Sequence, residues 1–124
     1  MSKRLARQFA HPSELTLAIL RGKWTTAILS CLDDETCRYC ELRRRLPGVS
    51  DKMLTKRLQE LLRTGLVIHP MSSAASDYAP YALSPIGRSL MPLITRLSAW
   101  GLEHAARYGV RFVHPGVFSH TGRE

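Results

Sequence analysis

Between residues 39 and 65, two short amphipathic stretches flank a Pro-Gly pair, and few folds accommodate that arrangement. The first stretch, Tyr39 to Leu46, is strongly basic and is stopped by Pro47-Gly48, a pair that continues no helix. Ser50 then offers an N-cap, and Asp51 lies in the first turn near the positive end of the helix dipole. The helix so opened carries Leu54, Leu58, Leu61 and Leu62 on one face, and Gly65 ends it as a C-cap. At about 100° per residue, Lys52, Lys56, Gln59 and Arg63 project to the other side, flanked by Thr55. Two short helices joined by Leu46-Pro47-Gly48-Val49 form a helix-turn-helix pattern.

The flanking segments complete a domain around this pair. Upstream, Ser13 can cap a first helix bearing Leu15, Ala18 and Ile19. Gly22 interrupts it, and a second helix resumes from Lys23 with Trp24, Ala27, Ile28, Cys31 and Leu32 on one stripe. Downstream, Leu66 to His69 reads as a strand and Pro70 to Asp77 as a loop. Tyr78 to Leu83 reads as a second strand, held to an edge position by Pro80. A hairpin in this place is a wing. Ser84-Pro85 opens a last helix with the apolar stripe Leu90, Leu93, Ile94, Leu97 and Trp100, and Pro92 should kink it or fall in its early turns. A stripe of that length at the end of an already supplied core calls for a second copy of the chain. The expected fold class is therefore mainly α with a small β-hairpin wing: a winged helix-turn-helix whose terminal helices form a homodimer interface. The expected organisation is a basic N-terminal arm over 1–10 and a winged-helix domain over 11–106. That domain includes a dimerisation helix near 84–106, and a tail follows over 107–124.

Charge points to the ligand. The chain carries 18 Lys and Arg against 10 Asp and Glu, a net charge of +8. From residue 38 to 63, Arg38, Arg43, Arg44, Arg45, Lys52, Lys56, Arg57 and Arg63 face only Glu41, Asp51 and Glu60, so most of the excess sits on the helix pair. Such a field favours a phosphate backbone, because binding releases condensed counterions. Double-stranded DNA is the expected partner. Ser50, Lys52, Met53, Thr55 and Lys56 form the set facing base edges in the major groove, and Arg43, Arg44, Arg45, Arg57 and Arg63 the set facing phosphates, with Arg38 as a further candidate. A basic adaptor for RNA or the ribosome, using the same charged face, is the alternative.

Other chemistries find little support. Cys31, Cys37 and Cys40 are too few for a disulfide scaffold and suit a reducing compartment. Cys31 shares the stripe of Trp24 and Ile28 and reads as core. Cys37-x-x-Cys40 has redox or metal spacing, with Arg38 between and Arg43 and Arg44 nearby to favour a thiolate. No second pair completes a metal set, so the readings are packing residues or a redox couple, without a metal. There is no Gly-rich phosphate loop, nucleophile elbow or paired-carboxylate site, and neither an enzyme activity nor a cofactor is expected. The basic N-terminus lacks a following apolar run, and no apolar stretch reaches the roughly 20 residues of a membrane span. A cytoplasmic protein without membrane contact is the expectation.

Taken as a set, several motifs resemble the HxlR-type family of bacterial winged helix-turn-helix regulators, relatives of the MarR group. They are Gly22-Lys23-Trp24-Thr25, Glu41 to Ser50, Met53 to Leu58, Leu61, Gly65-Leu66-Val67, Tyr81 to Ser84, Gly87 to Leu90, Pro92-Leu93 and Trp100-Gly101. The resemblance covers residues 11 to 104. It implies a transcription regulator acting as a homodimer, with the two recognition helices in successive major grooves of a near-palindromic operator and repression as the simpler outcome. The effector class, a small molecule or a redox signal, is left open. The chain departs from the family pattern in two places. His11-Pro12 stands where many members carry a sensing cysteine before proline, and the wing segment Met71 to Ala79 holds no basic residue, leaving His69 as the cation at its base.

Overall fold

The computed structural model describes residues 5–69 and 79–112. The elements run α1 (Pro12–Leu20), α2 (Thr25–Asp34), α3 (Tyr39–Arg45), α4 (Asp51–Thr64), β1 (Val67–Ile68), β2 (Ala82–Leu83), α5 (Pro85–Ser89) and α6 (Met91–His104), followed by a 3₁₀ turn over Ala105–Tyr108. The loop expected over Pro70 to Asp77, the start of the second expected strand at Tyr78, the first four residues of the arm and the tail from residue 113 lie outside the described residues.

Local chemistry sets most boundaries. Helix α1 is capped by His11, whose Nδ1 accepts from the Ser13 N–H at 3.1 Å with Pro12 in the first turn, so the cap falls two residues before the expected Ser13. Helix α2 begins after Trp24, which sits in the left-handed region at φ +79° and is outside the helix it was expected to join. The Leu46 carbonyl accepts from the Val49 N–H at 3.1 Å across Pro47-Gly48, with Gly48 at φ +95°, a conformation that strains any side-chain-bearing residue. Helix α4 starts at the Ser50 cap and ends at Gly65, as its sequence predicts. There the Leu66 N–H reaches the Leu61 carbonyl and the Gly65 N–H the Leu62 carbonyl, a Schellman closure.

The hairpin is shorter than its sequence suggests. Val67 pairs with Leu83 and Ile68 with Ala82 in antiparallel register. A third residue joins the sheet from elsewhere: Cys37 and Tyr81 exchange backbone hydrogen bonds of 3.1 and 2.7 Å. The last helix is divided at Leu90, and Pro92 falls in the first turn of α6, where its missing N–H costs nothing.

One core joins these elements. Ile28, Leu29, Cys31 and Leu32 of α2, Leu42 and Leu46 around α3, and Leu54, Leu58 and Leu61 of α4 meet Leu66, Val67 and Leu83 of the hairpin and Met91 and Ile94 of α6. Helix α5 is locked to the hairpin from below. The Ser84 Oγ caps α5 by accepting from the Gly87 N–H and donates to the Gly65 carbonyl, while Gly87 lies against the backbone of Leu66. A Cβ on Gly87 would stand 2.1 Å from the Leu66 carbonyl oxygen, so backbone would have to move to accept it. Gly87→Ala is accordingly expected to destabilise the domain by about 1–3 kcal/mol, read as a lower urea midpoint with an unchanged slope.

Candidate nucleic-acid interface

Helix α4 turns its leucines inward and its cations outward. Leu54, Leu58 and Leu61 are buried, and Leu62 lies at the margin. Lys52, Lys56, Gln59 and Arg63 are exposed on the opposite side. Among the described residues no carboxylate pairs with Lys52, Lys56, Arg63 or the exposed Arg44 of α3. These four cations are thus left to attract an external anion. The other expected base-facing residues are partly occupied. The Ser50 Oγ accepts from the Met53 N–H at 3.0 Å as the helix cap, Met53 is half-buried against the core, and the Thr55 hydroxyl lies 3.2 Å from the Tyr39 hydroxyl.

The five arginines of the expected phosphate set lie in different surroundings. Arg45 turns away from the exposed face, donating to an Asp34 carboxylate oxygen at 2.8 Å and to the Cys31 carbonyl at 3.2 Å. Arg57 is more deeply held. Its Nε donates to the Lys23 carbonyl at 2.7 Å and its Nη1 to Glu60 at 3.1 Å, with the two side chains only 12% and 7% exposed. A basic stretch in a sequence does not reveal which of its members find internal partners, and these two do. Arg43 pairs with Asp51, and Arg38 with Glu41 at 3.6 Å. Of the five arginines expected at phosphates, Arg44 and Arg63 remain exposed with no ion pair among the described residues.

A latch explains why Arg57 is spent in this way. Gly22 leaves room for its guanidinium, since a Cβ there would lie 2.9 Å from the Arg57 Cζ. Trp24, two residues on, lies near Gly48, where a Cβ would stand 3.9 Å from its ring. The segment from Gly22 to Trp24 therefore grips α4 through Arg57 and reaches the turn through the indole.

At the junction of α3 and α4 a second group forms that sequence spacing gave no means to find. The Tyr39 hydroxyl donates to the Asp51 Oδ1 at 2.9 Å and also meets the Asp51 carbonyl and the Thr55 hydroxyl, each at 3.2 Å. Arg43 donates to the same Oδ1. The Tyr39 hydrogen bond first, and Arg43 second, hold the Asp51 carboxyl below its ordinary range. Burial pushes the Tyr39 phenol up, so it remains a donor.

The cysteines separate. Cys31 and Cys37 are buried and Cys40 is exposed. Burial pushes the Cys31 thiol up to about 11. It also raises Cys37, against the hydrogen bond and charge of Arg45, which pull the other way. A thiol so placed is poor in thiolate, which argues against Cys37 as the reactive member of a redox couple. No group of three or more His, Cys, Asp and Glu that could hold a metal occurs among the described residues. His69 stacks on Tyr81 at 4.1 Å and shares a 3.0 Å hydrogen bond with the Ala79 carbonyl, which fastens the base of the hairpin.

The apolar stripe expected at a dimer interface divides between two surfaces. Ile94 is 1% exposed and belongs to the core, and Leu90 is half-buried against it. Leu93, Leu97 and Trp100 are 40, 44 and 55% exposed. Trp100 stacks on His104, and Tyr108 tilts toward the indole at 6.4 Å. The segment assigned to a tail thus begins with ordered structure, and the Phe112 ring approaches Gly101. No helix among the described residues is long and apolar enough to cross a membrane.

Comparison with known proteins places this geometry. Residues 19–108 match the model of the HxlR-like helix-turn-helix. The chain is 40% identical over 99 residues to the HTH-type transcriptional regulator YdzF of Bacillus subtilis (strain 168), covering 79% of this chain and 91% of that one. Among solved structures, the redox regulator HypR in its reduced form superposes with a TM-score of 0.70 at 30% identity, covering 77% of this chain and 94% of HypR. Quinone-bound YodB from B. subtilis superposes with a TM-score of 0.63 at 26% identity, covering 73% and 96%.

The thiol environments make a direct prediction. In the native chain Ellman's reagent should titrate Cys40 rapidly and leave Cys31 and Cys37 protected until urea exposes them. Labelling of Cys37 at the rate of Cys40 would contradict its burial.

Proposed function

The chain belongs to the HxlR-like helix-turn-helix family of transcriptional regulators, and from that premise we propose that it binds one near-palindromic operator in double-stranded DNA as a homodimer and represses by occluding polymerase. The observation that carries this reading is the outer face of α4. Lys52 and Lys56 are exposed and unpaired among the described residues, on a helix whose opposite side is sealed into the core. A helix so mounted can enter the major groove, where its N-terminal half reaches base edges. Arg44 on α3 and Arg63 at the end of α4 flank it and take phosphates, which set register without reading sequence.

The dimer rests on α6. Leu93, Leu97 and Trp100 recur at i, i+4 and i+7 and stay exposed in the single chain, a surface that a second copy would cover. The paired recognition helices then lie in successive major grooves about 34 Å apart. HypR is described as a redox regulator and YodB was solved with a quinone bound. In this chain a thiol-directed effector would act through Cys40, which is exposed where Cys31 and Cys37 are buried.

Three variants separate the roles in a binding assay over a range of salt. Lys56→Ala should weaken the operator complex by about 1–3 kcal/mol and leave random duplex little changed. Arg44→Ala should weaken both and flatten the salt dependence by about 0.9 in log–log slope. An unchanged operator affinity in Lys56→Ala would remove α4 from the groove. Leu97→Asp should sediment as a monomer with poor operator affinity, and a persisting dimer would move the interface elsewhere.

A further inference from the structure

The corner where α3 meets the start of α4 holds an acceptor that the cationic reading leaves unused. Asp51 is the first residue of the recognition helix, and its side chain is 71% exposed. Its two oxygens are not equivalent. The Oδ1 receives both the Tyr39 hydroxyl, at 2.9 Å, and the Arg43 guanidinium, while among the described residues no hydrogen bond reaches the Oδ2. Tyr39 is itself pinned, half-buried against the core and in contact with Thr55 one turn along α4. The carboxylate is thereby fixed in orientation by one oxygen with the other open to solvent.

We infer that Asp51 reads a base: its Oδ2 accepts a hydrogen bond from an exocyclic amino group, cytosine N4 or adenine N6, in the major groove, while Tyr39 and Arg43 act as positioning residues. The inference rests on the operator-binding reading above and sharpens it. Arg43 then serves DNA recognition through Asp51 and not as a phosphate contact. Exocyclic amino groups are the donors that cytosine and adenine present in the major groove, and carboxylates accept from cytosine N4 there. A carboxylate near a polyanion is repelled wherever no donor meets it, so Asp51 penalises wrong sites as well as rewarding right ones. Its ion pair with Arg43 is solvent-exposed and contributes little to stability, which leaves orientation as its main effect.

The test is selection of binding sites from a randomised duplex library by the full chain and by Asp51→Ala, Arg43→Gln and Tyr39→Phe, with thermal melts to confirm folding. Wild type should enrich cytosine or adenine at one position of each half-site, and which of the two is enriched identifies the amino group. Asp51→Ala should lower that preference roughly fivefold or more while leaving the other positions intact. It should also bind random duplex more tightly, because a negative charge is gone. Arg43→Gln and Tyr39→Phe should weaken the preference at the same position. Arg43→Gln should flatten the salt slope by clearly less than the roughly 0.9 lost with a phosphate contact. An Asp51→Ala profile identical to wild type at every position overturns the inference. So does an Arg43→Gln variant that loses a full phosphate contact's slope and keeps the base preference. A library from which wild type enriches no sequence overturns the operator-binding reading, and this inference with it.

Discussion

The hydrogen bond from the buried Arg57 of α4 to the Lys23 carbonyl fixes the rotation of α4 about its own axis, and the recognition surface depends on that rotation. Leucines alone would tolerate some rolling of the helix, since a smooth apolar face can repack. An arginine whose Nε is bound to the Lys23 carbonyl, outside the helix, cannot follow such a roll without losing that partner, while Glu60 on the same helix holds the guanidinium in place. Breaking one partner of a buried pair typically costs about 3–5 kcal/mol, even where the intact pair adds little net stability. The pair orients the guanidinium, and its bond to the Lys23 carbonyl sets the register of α4. Gly22 is needed because the guanidinium occupies the space of its side chain, and Trp24 extends the same grip to the Pro-Gly turn.

Once α4 is oriented, the arginines divide by task. Arg57 and Arg45 serve the interior, Arg57 between α4 and the segment before α2, and Arg45 between α3 and the end of α2. Arg43 holds Asp51. The cations that face outward without a carboxylate partner on the helix pair are fewer than the composition suggests, so the salt dependence of DNA binding should reflect Arg44, Lys52, Lys56 and Arg63 and not every basic residue between 38 and 63. Interior use of arginine follows from its chemistry: a planar, permanently charged donor fork satisfies carbonyl and carboxylate oxygens together, which a lysine ammonium does less well.

The sequence made the helix-turn-helix legible because its determinants are local. The Ser50 cap, the leucine spacing of α4, the Gly65 closure and the Pro-Gly turn each act within a few residues, and each appears where the pattern predicts it. What sequence did not show depends on separation. Tyr39 reaches Asp51 and Thr55 across 12 and 16 positions, Arg45 reaches Asp34 across 11, and Cys37 joins Tyr81 across the whole of the helix pair. Periodicity carries no information about such pairings. The same reason accounts for α6: a single apolar stripe covered Leu90, Ile94, Leu93, Leu97 and Trp100, but only the packed fold separates those facing the core from those facing out.

That separation bears on how a change at one end of the molecule can reach the other. Helix α6 is joined to the core through Met91 and Ile94, while Leu93, Leu97 and Trp100 look outward. Just before it, Gly87 rests on the backbone of Leu66, and Ser84 holds the Gly65 carbonyl at the C-terminus of α4. The start of α6 is thus tied to the end of the recognition helix by the backbone contact of Gly87 on Leu66 and by the short Ser84 hydroxyl link to Gly65. Packed backbone deforms little, so a rotation of α6 would carry α4 with it. In a dimer built on the exposed stripe, the distance between the two recognition helices would then be set by how the α6 helices pack. An effector that altered that packing by a small angle could mismatch the helices to grooves about 34 Å apart without touching either of them.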